Sequence, residues 1–341
     1  MTPEKWLENG QYIKYQGHQI FYKTNGNIDS KRPTILMIHG YPTSSWDFET
    51  LFKLWDKKFN LVAPDMLNFG FSAKPRTKKC SVLEQADVIS YLIEQLNLPP
   101  FHILAHDYGD TVAQELMARH YYTKKPESLL SVCMLNGGLF PETHRARFIQ
   151  ILLNSPLGSL INQLGSRKTF DTNMRKIWGD PHKLTDDQLK EYWDMIHYNN
   201  GRHLFHSTIY YMTERKKYRP RWLQALTHSK VPIALINGSL DPVSGKHMVE
   251  RYRELVGDSN IYEIPESGHY PHLENPDQVS LYYQEFLASL EGQPSISGQQ
   301  GTQQTKGEAQ EQKQTSSQDD SPKYKRHLSN SSMTDINTIV N

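Results

Sequence analysis

Apolar and polar side chains alternate over residues 12–15 and 19–23 on either side of Gln16-Gly17, which predicts two short strands paired antiparallel through a turn. Three unbroken apolar runs follow at 34–38, 60–63 and 102–105, each short enough to be a buried strand. Helix-period stretches at 46–55 and 82–96 precede the second and third of them, and strand alternating with helix means a parallel sheet. Two later strands, at 130–135 and 233–236, are separated by about ninety residues that carry helix periods and no strand signal. A strand at 260–264 and a helix at 276–290 continue the alternation to the end of the domain.

The pattern predicts an α/β core from residues 1–139 and 223–291, with a mostly parallel eight-stranded sheet and a helical cap at 140–222. From residue 292 to 341 the chain turns to Gln, Ser, Thr, Gly and Lys with almost no large apolar side chains, so a disordered tail is expected. Within it, Lys325-Arg326-His327-Leu328-Ser329 reads either as a basophilic kinase site or as solvated linker.

Charge narrows the partners. Thirty-eight basic against 37 acidic residues leave a net charge of +1, so no overall field recruits nucleic acid, and a small neutral substrate fits better. Two cysteines, Cys80 and Cys133, with no CxxC pair or Cys/His ligand spacing, argue against a disulfide scaffold or structural metal and for a reducing, cytoplasmic setting. The polar first ten residues predict no signal core or integral membrane span, while peripheral association with a membrane stays open.

The chemistry gathers at strand ends. Ala105-His106-Asp107-Tyr108-Gly109 lies between a strand and the helix-period run 112–121, the setting of a nucleophile elbow, with Asp107 in place of serine. An aspartate there can also simply cap a helix. His39-Gly40-Tyr41-Pro42 follows the first long buried strand, so the amides of Tyr41 and Tyr108 can form an oxyanion hole. Asp241, after the next-to-last strand, is the expected orienting acid. Ser267-Gly268-His269-Tyr270-Pro271-His272 follows the last strand; His269 is the expected base and His272 its competitor. Asp65 reads as structural. The run Tyr210 to Tyr218 is either an interaction face or a source of tyrosines aimed at the nucleophile.

With aspartate as nucleophile, the expected reaction has two steps: attack on an electrophilic carbon to form an ester, then hydrolysis by water that His269 activates. His39 to Pro42, His106 to Gly109, Asp241 and His269 together resemble the epoxide hydrolase and haloalkane dehalogenase branch of the α/β-hydrolase fold, over roughly residues 14–290. His106-Asp107-Tyr108-Gly109-Asp110, the stretch from Asn136 to Arg145, and Arg215-Lys216-Lys217 are similar to the mesoderm-specific transcript family of animals.

The epoxide hydrolase resemblance implies two cap tyrosines that protonate the leaving oxygen, no metal and no organic cofactor. Tyr211 matches the second tyrosine, but no tyrosine stands between Tyr122 and Tyr192 to match the first. Dehalogenases usually carry tryptophan beside the nucleophile, where this chain has Tyr108. The mesoderm-specific transcript resemblance implies association with the endoplasmic reticulum, which in vertebrate members runs through a hydrophobic N-terminus absent here. The leading expectation is an epoxide hydrolase-like enzyme for a small or lipid-derived electrophile. Its rivals are a catalytically silent binding or scaffold protein, a dehalogenase-like enzyme, and, disfavoured by the missing serine, a lipid-ester hydrolase.

Overall fold

A computed structural model describes residues 1–75, 80–123 and 128–291. Eight strands form one sheet in the order β1-β2-β4-β3-β5-β6-β7-β8. They are β1 (Gln11–Tyr15), β2 (His18–Thr24), β3 (Thr34–Ile38), β4 (Asn60–Pro64), β5 (Phe101–His106), β6 (Leu129–Leu135), β7 (Ile233–Gly238) and β8 (Ile261–Ile264). The β1–β2 and β2–β4 pairs are antiparallel and all others parallel. The predicted strand at 260–264 starts one residue later, because Asn260 adopts the left-handed conformation with φ 57°.

The apolar runs are unbroken because both faces of the sheet are covered. Ile35 and Met37 of β3 face one core, and Leu36 and Ile38 face the other, as the two-residue period of a strand demands. The first core takes Trp6 of α1 (Pro3–Glu8), Trp55 of α2 (Glu49–Trp55) and, from the end of the domain, Tyr283 of α14 (Pro276–Glu291). The second takes α3 (Val82–Gln95) and α4 (Tyr108–Thr123). The side chain of Ser81 caps α3 by accepting from the Glu84 amide at 3.0 Å. α4 departs from the sequence reading: it begins at Tyr108 rather than near 112, and its first three turns are buried on every side.

Between β6 and β7 the chain builds seven α-helices: α5 (Phe148–Leu153), α6 (Gly158–Leu164), α7 (Arg167–Arg175), α8 (Asp186–His197), α9 (Phe205–Thr208), α10 (Tyr211–Lys217) and α11 (Arg219–His228). A capping box of Thr185 and Gln188 starts α8. The expected edge of the cap at residue 222 falls inside α11, and α11 packs on α4 of the core. There the buried Glu115 carboxylate of α4 accepts from Arg221 Nε at 2.8 Å and Trp222 Nε1 at 2.9 Å. After β7 come α12 (Lys246–Leu255), then β8, α13 (Pro271–Glu274) and α14. The expected tail and the Lys325 to Ser329 motif lie outside the described residues. No helix among those described is long and apolar enough to cross a membrane.

Candidate active site

β5 and α4 meet at Asp107, which sits at φ 46°, the left-handed region that costs a non-glycine residue on the order of 1–3 kcal/mol. Aspartate tolerates this region better than most side chains. Gly109 is needed for close approach: a Cβ there would stand 2.2 Å from the Ile38 carbonyl of β3. The turn is thus clamped against β3, and the Tyr41 amide at the end of that strand donates to Asp107 Oδ2 at 3.1 Å. Tyr108, the other expected oxyanion residue, opens α4 with its side chain fully buried.

Asp241 follows β7, and both of its oxygens are engaged. Val243 N donates to Oδ1 at 2.7 Å and Asn136 Nδ2 to Oδ2 at 3.0 Å. His269 Nδ1 lies 2.7 Å from Asp241 Oδ2, which turns His269 Nε2 toward Asp107 Oδ2 at 3.9 Å. Glu274 of α13 fixes the histidine loop by accepting from the amides of Gly268 and Tyr270 at 3.0 and 3.1 Å. The structure therefore brings Asp107, Asp241 and His269 together. His272 lies elsewhere, buried against His106 and Phe48 with neither ring nitrogen bonded to another described residue.

Electrostatics keep the site charged despite burial. Burial lowers the basicity of His269, but the charge and hydrogen bond of Asp241, and then the charge of Asp107, outweigh it and raise its pKa to about 9. Burial pushes the Asp107 carboxyl up, while His269 and then Arg215 hold it below the ordinary carboxylate range. Asp241 behaves likewise: burial raises it, and His269 pulls it down further than burial lifts it.

Arg215, part of the Tyr210 to Tyr218 run and of the Arg215-Lys216-Lys217 motif, stands beside the carboxylate, a position neither pattern implies. It is 2 % exposed, its Nη2 lies 3.6 Å from Asp107 Oδ1 and 3.2 Å from the Asp107 carbonyl, and its Nε donates to Thr111 Oγ1 at 2.8 Å. Helical spacing could have found it, since Tyr211 and Arg215 are i and i+4 on α10. The guanidinium stacks 4.5 Å from the Tyr211 ring. Tyr211 itself is fully buried, its hydroxyl has no partner among the described residues, and its ring lies 4.9 Å from that of Tyr108. Burial, reinforced by the charge of Asp107, raises its pKa and keeps the phenol protonated.

A cavity of about 140 Å³ opens over Asp107 and His269. Its walls are mainly apolar, with Leu153, Ile161, Met174, Ile177 and Phe205 contributed by the insertion. Tyr41 is the one tyrosine in that lining, so Tyr211 stands just outside it. Asp65, expected to be structural, accepts from the amides of Ser45 and Phe71 at 2.7 and 2.6 Å, away from the cavity. Asp47, His106 and His272 are the one group of described residues whose ligand atoms could hold a metal, all within 4.8 Å of one another and buried. They lie outside the lining of this cavity.

Comparisons with known proteins agree with this architecture. The family model for the alpha/beta hydrolase fold matches residues 33–276. The mesoderm-specific transcript protein of Mus musculus is 34% identical over 84% of this chain and 88% of its own length. LipZ of Mycobacterium tuberculosis is 32% identical over 80% of this chain and 93% of its own. The solved structure of the epoxide hydrolase CorEH superposes with a TM-score of 0.66 at 17% identity, covering 82% of this chain and 99% of that one, which speaks for the fold alone. A matching family model over residues 33–276 and this level of identity across most of both chains place the protein in the α/β-hydrolase fold family, and within it among the mesoderm-specific transcript proteins.

Proposed function

We propose that the protein is a hydrolase that uses Asp107 as nucleophile, His269 as base and Asp241 to orient that base, acting on an apolar, epoxide-like electrophile. The reading rests on one arrangement: an elbow carboxylate facing a histidine that a second carboxylate holds at 2.7 Å. The cavity admits a group of roughly benzene size beside the carboxylate.

In the first step an Asp107 oxygen attacks a ring carbon, the carbon–oxygen bond opens, and an ester forms. The released oxygen takes a proton from the Tyr211 hydroxyl, which water later restores. Esterification removes the charge of Asp107 and with it one of the interactions that keep His269 protonated. The imidazolium passes its proton, through water, to the Tyr211 phenolate left by the first step, and the neutral imidazole takes a proton from the water that attacks Cγ of the ester. The Tyr41 amide, which donates to Asp107 Oδ2, and that of Tyr108 stabilise the oxyanion; its collapse frees the alcohol as His269 returns the proton, and the Asp107 carboxyl so formed gives its own proton back to His269.

A dehalogenase-like reading is the second candidate. It gains from Tyr211 standing outside the cavity lining, because a halide leaves without a proton. Both are tested by offering an epoxide panel and a haloalkane panel to the enzyme in heavy-oxygen water for a single turnover. Label should enter the Asp107 carboxylate, Asp107→Ala should lose about four orders of magnitude of turnover or more, and His269→Gln should accumulate the ester. Turnover with an unlabelled carboxylate would remove the covalent mechanism; no turnover on either panel would favour the silent binding protein.

A further inference from the structure

The helices α5 and α6 pack together and show two apolar faces. Ile149 and Leu153 of α5 and Ile161 of α6 line the cavity. On the outer side, Phe148 is 74% exposed, Ile151 55%, Leu157 63% and Leu160 56%. Each pair is spaced i and i+3, so each helix turns one coherent apolar stripe outward. These four are drawn from ten large exposed hydrophobics among the described residues, and no other stretch of similar length holds more than two of them. Such clustering is a patch, not the scatter usual on a soluble surface.

The charges that flank the patch along the chain are of one sign. Between Glu142 and Asp171 the sequence has Arg145, Arg147, Arg167 and Lys168 and no acidic residue, and between Arg147 and Arg167 it has no charged residue at all. Exposed Arg145 and Lys168 on either side of an uncharged apolar segment complement an anionic lipid surface: apolar side chains enter the acyl boundary while cations meet the headgroups. The four outward side chains offer on the order of 500 Å², short of the roughly 800 Å² per partner of a standard protein interface.

We infer that the outer face of α5 and α6 seats the protein on an anionic lipid surface, with the cavity walled by the same two helices beside the acyl chains. The docking surface stands on its own. Its consequence for chemistry, that the substrate is an apolar molecule dissolved in lipid and taken up past α5 and α6, rests on the proposed role of Asp107.

Full-length protein would be sedimented with phosphatidylcholine vesicles made with and without phosphatidylserine, beside the variant Phe148→Ser/Ile151→Ser/Leu157→Ser/Leu160→Ser. The expected result is binding that rises with phosphatidylserine, falls with salt, and drops by about tenfold or more in the variant at an unchanged melting temperature. Arg145→Gln/Lys168→Gln should remove mainly the part that depends on phosphatidylserine. Absence of wild-type binding to either vesicle, or equal binding by the serine variant, would overturn the inference. So would a wild-type dimer that the serine variant dissociates while vesicle binding is absent, which would make a second copy the occupant. Vesicle binding is read without substrate, so it succeeds or fails independently of ester formation at Asp107.

Discussion

Two parts of the insertion between β6 and β7 are built by opposite means, one holding the core and the other walling the cavity. α10 and α11 are tied to the core by charge: Glu214 accepts from the Val82 amide at the start of α3 at 2.9 Å, Arg215 reaches Asp107 and Thr111, and Arg221 and Trp222 converge on Glu115. α5 and α6 bring no charged side chain between Phe148 and Leu164 and meet the cavity through Ile149, Leu153 and Ile161 with the neutral Gln150 and Asn162, leaving their other face to solvent. Buried charged hydrogen bonds fix position and fail steeply when one partner is lost. Apolar contacts tolerate sliding. The contrast sets a fixed cation of α10 beside Asp107 and an uncharged, half-exposed wall at α5 and α6.

The contrast can be broken most severely at Arg215. Arg215→Met should lower stability by about 3 kcal/mol, because it strips a buried carboxylate of a cation, and chemical denaturation would measure the loss. It should also move the acid limb of kcat/KM to higher pH. Asp107 has a depressed pKa, so the ionised nucleophile is lost as pH falls through that value, and without Arg215 the loss comes at a higher pH. An unmoved acid limb would make Arg215 purely structural.

Tyr211→Phe should have a middle effect. It keeps the ring packed on Tyr108 and under the guanidinium, so stability should hold, while epoxide opening slows by about tenfold or more and a haloalkane is little affected. Equal rates for both proteins on epoxides would exclude Tyr211 as the proton donor. Leu157→Ser, on the other side of the comparison, should change stability by no more than about 0.5 kcal/mol despite replacing a large apolar residue. A loss of about 2 kcal/mol or more in thermal unfolding would mean that this face is packed rather than free.

The strands were legible because β3, β4, β5, β6 and β7 are continuous apolar runs with helices on both faces. The start of α4 was harder to read: the elbow and the first turn, Asp107 to Asp110, contain polar residues that look like loop and are buried only because β3 and the insertion close over them. Asn136 and Glu274, which steady Asp241 and the His269 loop, were not singled out as site residues, since an asparagine after one strand and a glutamate on a short helix carry no local signal of what they hold.

By itself the sequence determined the order of strands and helices, the insertion after β6, and the residues offered at the strand ends, because hydrophobic period and turn chemistry are local properties of the chain. Only the tertiary structure decided that His269 rather than His272 faces Asp241, that Arg215 stands behind the carboxylate, and that Tyr211 lies outside the cavity lining. These are matters of distance between residues remote in sequence, set by how the sheet edge and the insertion pack, and no local pattern encodes them.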